Sequence, residues 1–181
     1  MNFPIIVRDG LKLVRRVETD AEAVFQSIDK NRDYLKQWLP WLDDSKTVED
    51  LRKYIQNDIA EFDKKEGCDF GIWYEGQWVG GIGFSSFGTK DRKTSIGYWL
   101  SEEFQGKGIM TDCVHALINF GFEHLNLNRI VIRAAVGNIK SRAIPQRLGF
   151  KEEGILRQSE WLYDHFVDLA MYSLLRNEWI K

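Results

Sequence analysis

The feature that most constrains this chain is a short turn with two glycines at residues 105–110, which lies between a predicted strand and a predicted helix. An apolar run at 96–100 precedes it, and an amphipathic run from 111 to about 125 follows it. Glycine lets the backbone approach a ligand closely, and the first N–H groups of a helix have no partner within the helix. The helix dipole and Lys107 add positive charge at the same point. The turn therefore predicts a site for a ligand that carries phosphate groups.

Two familiar phosphate-binding turns do not fit this segment. A P-loop would need glycine where Ser101 stands and serine or threonine where Gly108 stands. A dinucleotide-binding fingerprint needs three glycines, and the turn contains only Gly106 and Gly108. For the hexapeptide taken alone, a glycine turn that merely begins a helix remains an open interpretation.

Composition narrows the class of protein. The length of 181 residues suits one domain, so we predict a single domain over 1–181. A net charge of -2 argues against a nucleic-acid partner. We see no membrane span and no secretory leader, and expect a cytoplasmic protein without a membrane partner. Cys68, Cys113 and three scattered histidines show no metal-ligand spacing, so no metal is expected.

The hydrophobic pattern predicts strands and helices in a mixed order. Predicted strands lie at 5–7, 11–14, 70–74, 78–84, 94–100, 129–136, 155–163 and 166–173. Predicted helices lie at 20–31, 47–64, 111–125 and 138–148, and 31–44 is an unusually apolar connection. This order is typical of an α+β or mixed α/β layered fold with one central sheet.

A second group of motifs indicates a family. Asn138-x-x-Ser141 is followed by LGF at 148–150 and EG at 153–154. Together with the turn and the element order, these residues resemble the GNAT superfamily of N-acetyltransferases over most of the chain. The segments NRDYL (31–35), WLPWL (38–42) and GYWL (97–100) are similar to the RimJ/RimL-type ribosomal-protein N-terminal acetyltransferases. The resemblance implies the GNAT fold, with one mostly antiparallel mixed sheet flanked by helices.

The resemblance also implies acetyl-CoA as the acetyl donor. In such folds the strand before the turn parts from its neighbour and offers its backbone to the pantetheine arm, while the turn binds pyrophosphate. Met110 departs from the Gly or Ala usual at the end of this turn, and an ordinary helix N-cap remains open for Asn138. The implied cofactor-binding residues are Tyr98, Trp99, Leu100, Gln105, Gly106, Lys107, Gly108, Ile109, Met110, Asn138 and Ser141.

The leaving group needs a hydrogen-bond donor, and here the sequence departs from the commoner family pattern. Many GNAT enzymes have a tyrosine seven residues after the asparagine, but this chain has Pro145 there. The resemblance assigns Ser141, one helical turn earlier, to stabilise the departing thiolate. Proline also lacks the N–H that would bond to the Ser141 carbonyl, so a helix through both residues would free that carbonyl. A serine that only bonds locally remains open.

Glu160 is implied as the base that activates the amine, directly or through water, and a surface carboxylate without a role remains open. At pH 7 roughly 10% of an α-amine with a pKa near 8 is neutral, against roughly 0.04% of a lysine near 10.4. A weak base therefore favours a protein N-terminus. The developing negative charge on the carbonyl oxygen would be met by a backbone N–H near Trp99 or Leu100.

The acceptor pocket is expected between residues 31–44 and the last hairpin, with Tyr34, Trp38 and Trp41 as its walls. The preferred acceptor is the N-terminal amine of a ribosomal or other protein. A small amine, such as a polyamine or an aminoglycoside, is the enzymatic alternative. The alternative that is not an enzyme is a binding module, an acyl-CoA sensor without turnover. A surface rich in aromatic residues favours a homodimer, and so does the resemblance, because homodimers are common in this subgroup.

Overall fold

The computed structural model describes residues 3–64, 66–87 and 90–180. In these ranges eight strands form one sheet, namely β1 (Ile5–Arg8), β2 (Leu11–Arg15), β3 (Cys68–Tyr74), β4 (Gln77–Phe84), β5 (Lys93–Leu100), β6 (Arg129–Ala135), β7 (Lys151–Leu162) and β8 (His165–Leu175). Their order across the sheet is β1-β2-β3-β4-β5-β6-β8-β7. Only the β5–β6 pair is parallel. The predicted mixed, mostly antiparallel sheet is confirmed.

Five α-helices and four 3-10 turns accompany the sheet in the described ranges. The helices are α1 (Ala21–Lys30), α2 (Arg32–Leu35), α3 (Val48–Lys64), α4 (Ile109–Glu123) and α5 (Ile139–Arg147). The 3-10 turns are Glu18–Asp20, Pro40–Asp44, Glu102–Phe104 and Arg176–Glu178. Residues 31–44, which we predicted as a connection, therefore contain α2 and a 3-10 turn that proline begins. Within the described ranges, every helix is too short or too polar to cross a bilayer.

Two clusters of buried side chains occupy opposite faces of the sheet. The larger one packs α4 against the middle strands, and the smaller one packs α1 and α3 against the other face. Strand β5 contributes to both, because successive side chains of a strand point to opposite faces. Tyr98 and Leu100 belong to the larger cluster, and Trp99 belongs to the smaller one. Strand β5 therefore lies between the two hydrophobic clusters.

The start of α3 is fixed by a reciprocal cap. The Thr47 hydroxyl accepts a hydrogen bond from Asp50 N at 3.1 Å, and the Asp50 carboxylate accepts one from Thr47 N at 2.9 Å. Each side chain thus satisfies a backbone donor that the helix leaves unpaired. The helix start predicted at residue 47 is confirmed.

The smaller cluster depends on close contact between β3 and β4. The indole ring of Trp78 lies directly over Gly71, where a methyl group would overlap its ring atoms. Because Trp78 is buried, its ring has no solvent-exposed space into which it can move. Glycine at position 71 is therefore required for packing.

We expect Gly71→Ala to lower the free energy of unfolding by about 1–3 kcal/mol, because overpacking displaces a buried ring. Gly97→Ala on β5 is the matched control. A methyl group there would meet no atom within 4 Å apart from those of its neighbours along the chain. Urea denaturation of both variants measures the difference. Equal midpoints for the two variants would contradict the packing argument.

Candidate active site

Strands β5 and β6 part from each other and open a cleft in the sheet. They pair only at Lys93–Arg129, Thr94–Ile130 and Ser95–Val131. Beyond Ser95, β5 stays paired with β4 as far as Leu100. Strand β6 stays paired with β8 along its whole length. Each strand stays paired with its other neighbour, and in the described ranges the edges of β5 and β6 that face each other are unpaired beyond Ser95 and Val131.

The backbone of β5 presents two residues to this cleft. Ser95 O accepts a hydrogen bond from Ser85 N, and Ser101 N donates one to Val79 O, each at 2.9 Å. The register with β4 is unbroken between these contacts, and in antiparallel pairs alternate residues bond to the same neighbour. Odd-numbered residues of β5 therefore point their backbone groups toward β4. Tyr98 and Leu100 point theirs into the cleft.

The glycine turn lies at the end of the cleft and begins α4. Gly106 and Gly108 have φ angles of 73° and 75°, which glycine adopts without strain. Gln105 N bonds to Glu102 O, and Asp112 N bonds to Gly108 O. Within the described part of the chain, the N–H groups between these two donors make no hydrogen bond. These free donors at the positive end of a 15-residue helix are suited to an anion.

A cavity of about 970 Å³ fills the cleft. Its walls are α2 and the segment after it, β5, the glycine turn with the start of α4, and α5. The sequence-predicted residues that line it are Tyr34, Trp38, Tyr98, Trp99, Leu100, Gln105, Gly106, Gly108, Ile109, Met110, Asn138 and Ser141. Lys107, Trp41 and Glu160 do not line it. The Lys107 ammonium instead lies 4.9 Å from the centroid of the Phe104 ring.

Two basic residues of α5 line the cavity and were missed by sequence reasoning. Lys140 Nζ donates to Gln105 Oε1 at 2.9 Å, and Arg147 donates to the Thr111 hydroxyl at 2.8 Å. Both therefore lie beside the glycine turn. Their spacing with Ile144 (i, i+4, i+7) places all three on one helix face, and that spacing was a signal available in the sequence.

Gln105 connects the two walls of the cavity. Its amide nitrogen donates to the Tyr34 hydroxyl, and its amide oxygen accepts from Lys140. Burial raises the pKa of Tyr34, so its phenol stays protonated at neutral pH. This chain of hydrogen bonds joins α2 to α5 across the glycine turn.

The first turn of α5 places Asn138 and Ser141 beside β5. Asn138 Oδ1 accepts a hydrogen bond from Ser141 N at 3.1 Å, so Asn138 is the N-cap of α5. Its side-chain NH2 group has no hydrogen bond to the described residues and remains available to a ligand. The helix runs through Pro145, as expected. The Tyr98 hydroxyl donates to the Ser141 carbonyl at 3.0 Å.

Aromatic rings form the other end of the cavity, and the tip of the β7–β8 hairpin supports the segment after α2 without lining the cavity. The Trp99 ring centroid lies 6.5 Å from that of Trp41, which packs behind it. Glycine at position 81 makes room for this ring, since a Cβ there would lie 2.7 Å from Trp99 Nε1. The Tyr163 hydroxyl at the β7–β8 tip donates to Leu39 O at 2.6 Å. The hairpin thus holds the α2 wall in place.

Glu160 lies on β7, opposite Val167 of β8 and directly after a bulge in the pairing. Its side chain is half-buried. Burial raises the pKa of Glu160, and the charge of Arg133 opposes that shift. The carboxylate is therefore a stronger base than an exposed glutamate, at a position outside the cavity wall. No group of three or more potential metal ligands occurs among the described residues.

Comparisons with known proteins agree with this geometry. A family model described as an acetyltransferase (GNAT) domain matches residues 11–151. The chain is 40% identical over 161 residues to the putative ribosomal N-acetyltransferase YdaF of Bacillus subtilis (strain 168), covering 88% of each protein. It is 33% identical over 173 residues to the ribosomal-protein-serine acetyltransferase of Escherichia coli (strain K12), covering 96% of this chain and 97% of the relative.

Among solved structures, the chain is similar to RimL, named as a ribosomal L7/L12 alpha-N-protein acetyltransferase, in complex with coenzyme A. The TM-score is 0.93 at 30% sequence identity, and the match covers 97% of this chain and 99% of RimL.

We expect Asn138→Ala to lower the free energy of unfolding by about 1 kcal/mol, because Ser141 N loses its cap. Asn138→Asp keeps an oxygen acceptor at the same place but loses the NH2 donor, so it should retain most of the stability. Thermal unfolding of both variants tests the cap separately from any contact with a ligand. A destabilised Asn138→Asp variant would show that the cap is not the main contribution of this side chain.

Proposed function

This chain belongs to the acetyltransferase (GNAT) family, and from that premise we propose that it transfers an acetyl group from acetyl-CoA to the N-terminal amine of a protein, foremost a ribosomal protein. The observation that carries the proposal is the cleft between β5 and β6, which ends at the glycine turn and is flanked by Ser141. A thioester arm and an amine can meet there from opposite ends.

The donor end of the cavity fits coenzyme A in shape and charge. The free N–H groups of the glycine turn would receive the pyrophosphate, and Lys140 and Arg147 would add two positive charges beside it. The amide-rich pantetheine arm would pair with the backbone of Tyr98 and Leu100. Asn138 would contact the arm with its unused NH2 group. Lys107, which lies over Phe104, would contribute through its backbone N–H.

The transfer is a direct attack within a ternary complex of the protein, acetyl-CoA and the amine. The neutral amine nitrogen attacks the thioester carbonyl carbon, a C–N bond forms, and the carbonyl oxygen becomes an oxyanion. The C–S bond then breaks and the nitrogen loses a proton, giving an amide, while the thiolate leaves and is protonated to coenzyme A. Alternation along β5 favours the N–H of Leu100 over that of Trp99 as the donor to the oxyanion, because only the former points into the cleft.

Ser141 is the proposed donor to the departing thiolate. It is half-buried, lines the cavity, and lies on the turn of α5 that faces β5. A hydroxyl is a poor acid beside a thiol, so its role is to stabilise the thiolate by a hydrogen bond. Alignment of the two reactants supplies the larger effect, which can reach about 7–11 kcal/mol.

Glu160 is the proposed base, and it acts through water because it lies outside the cavity wall. A water-mediated base of moderate strength is enough for an α-amine with a pKa near ~8 and a poor match for a lysine near ~10.4. The aromatic end of the cavity, with Tyr34, Trp38 and Trp99, would enclose the first residue of the acceptor, with Trp41 supporting Trp99 from behind. The names of the relatives point to the same substrate class.

Three further properties belong to the proposal. One domain over residues 1–181 is supported by the single sheet that holds all described strands. Action in the cytoplasm follows from a ribosomal acceptor. A homodimer is supported by an exposed aromatic pair on the β7–β8 hairpin, where the rings of Trp161 and Phe166 lie 4.8 Å apart and are 51% and 57% exposed.

Thiol release from acetyl-CoA tests the function. The panel contains ribosomal-protein N-terminal peptides that begin with Ser, Ala or Met, together with spermidine, kanamycin and a lysine peptide with a blocked N-terminus. We expect turnover of an N-terminal peptide and a kcat lowered about 10-fold or more by Ser141→Ala, since one charge-assisted hydrogen bond is lost. Turnover of only a small amine would refute the protein acceptor. Binding of acetyl-CoA without any turnover would favour the sensor.

Glu160→Gln should lower kcat/KM on the order of 100-fold at pH 7, the lower range for a general base. The loss should shrink toward pH 9, where an α-amine with a pKa near ~8 is already mostly neutral. The wild-type activity falls below pH ~8 as the amine is protonated, and protonation of Glu160 should make this fall steeper. Because burial raises the pKa of Glu160, that second break should come at a pH above the ordinary ~4.3 of a glutamate. Asp164→Asn, at the exposed tip of the same hairpin, is the control. A deficit independent of pH would exclude the role as base.

A further inference from the structure

The Tyr98 side chain makes a contact that the proposed chemistry does not yet use. Its ring crosses from β5 to the first turn of α5, where its hydroxyl donates to the Ser141 carbonyl at 3.0 Å. The same hydroxyl oxygen accepts from Ser141 Oγ at 3.3 Å. Both polar groups of Ser141 that face β5 are therefore tied to one phenol.

This contact replaces a hydrogen bond that the helix itself cannot make. In a regular α-helix the Ser141 carbonyl would accept from the N–H of the residue four positions later. That residue is the buried Pro145, which has no N–H. A carbonyl left unpaired at the edge of the cavity would loosen the turn that carries Ser141. The Tyr98 hydroxyl supplies the missing donor from another element of the fold.

The phenol is suited to hold this position at neutral pH. Burial raises the pKa of Tyr98 to about 12, so it stays protonated and keeps its donor. For the same reason it is a poor proton source. Its ring is packed against the larger hydrophobic cluster, which restricts its rotation. The hydroxyl therefore acts as a fixed anchor and does not enter the chemistry itself.

We propose that Tyr98 is a positioning residue for the acetyl transfer, which uses its side-chain hydroxyl to hold the proline-interrupted first turn of α5 so that Ser141 Oγ faces the thioester sulfur. When the sulfur arrives, Ser141 turns its proton from Tyr98 to the sulfur, while Tyr98 keeps its bond to the Ser141 carbonyl. The backbone of Tyr98 binds the donor arm and its hydroxyl orients Ser141, so one residue couples donor binding to the stabilisation of the leaving group. This inference rests on the proposed function.

Tyr98→Phe, which keeps the ring and removes the hydroxyl, is the decisive variant. We expect kcat to fall about 10-fold with less than about a 3-fold change in the KM for acetyl-CoA, because one hydrogen bond is lost and the backbone site remains. In a Ser141→Ala background the same change should have almost no effect on kcat, since there is no hydroxyl left to orient. In a Pro145→Ala background its effect should also be smaller, because the helix regains its own donor. An equal fall in all three backgrounds would overturn the inference and indicate general destabilisation.

Tyr172→Phe is the matched control. The Tyr172 hydroxyl also anchors α5, accepting from Arg142 Nε at 2.9 Å and from Gln146 at 3.3 Å, and in the described part of the chain it makes no hydrogen bond to Ser141. We expect this variant to lose stability and to keep kcat within about 2-fold of the wild type. A loss of kcat as large as that of Tyr98→Phe would show that any loosening of α5 has the same effect.

Amide hydrogen exchange gives a readout that needs no acceptor. The N–H groups of Ser141 and Arg142 bond to Asn138, so they report on the first turn of α5. We expect Tyr98→Phe to speed their exchange about 3–10-fold. Unchanged exchange would overturn the inference whatever the turnover. A wild-type protein that binds coenzyme A but releases no thiol would refute the proposed function instead, so the two failures are distinguishable.

Discussion

Each part of the site follows from the place where β5 leaves β6. Parallel pairing ends at Ser95, while β5 continues along β4 and β6 continues along β8. The separation leaves backbone donors and acceptors without a partner strand, which costs free energy in a closed interior. Here they face an open cleft, where water or a ligand with its own amide groups can satisfy them. The unpaired edge of β5 can thus serve as a binding surface. The glycine turn and α5 lie along its border.

Strand β5 also divides the two ends of the cavity to which the proposed function assigns the donor and the acceptor. Alternation along a strand sends Tyr98 toward α5 and Trp99 toward the aromatic segment on the opposite face. Neighbouring residues of one strand therefore face the two different ends of the proposed site. Because residue 81 is glycine, the Trp99 ring can lie close to β4.

Much of this architecture could be predicted from the sequence, because its signals are local. Apolar alternation predicts the strands. The two glycines and the helical pattern that follows them predict the turn at 105–110. The short helix α2 was missed since four residues give too little periodicity to detect. Lys140 and Arg147 were missed for a different reason. Their helical spacing was visible, but only the folded chain shows that this face of α5 borders the turn.

The contact between Tyr98 and Ser141 illustrates the limit of sequence reasoning more sharply. Pro145 indicates that a carbonyl in α5 lacks its usual partner. This inference needs only the sequence of one helix. The identity of the substitute donor depends on how far β5 and α5 are apart in space, which no spacing along the chain encodes. Lys107 shows the opposite case, because a residue with the right charge in the right motif directs its side chain to a neighbouring ring instead.

The division of the core into two clusters has a consequence for how proteins of this design diversify. The donor end rests on the larger cluster, with Ile109 and Met110 at its boundary, while the acceptor end rests on the smaller one, with Leu35 and Leu42. Substitutions at Trp38 or Leu39, which line the cavity, would change the proposed acceptor wall, whereas Tyr34 also bonds to Gln105 and so ties α2 to the glycine turn. Under the proposed function, the acceptor preference can therefore change through the few described side chains of this wall that make no hydrogen bond to the glycine turn, while the packing around Ile109 and Met110 stays the same.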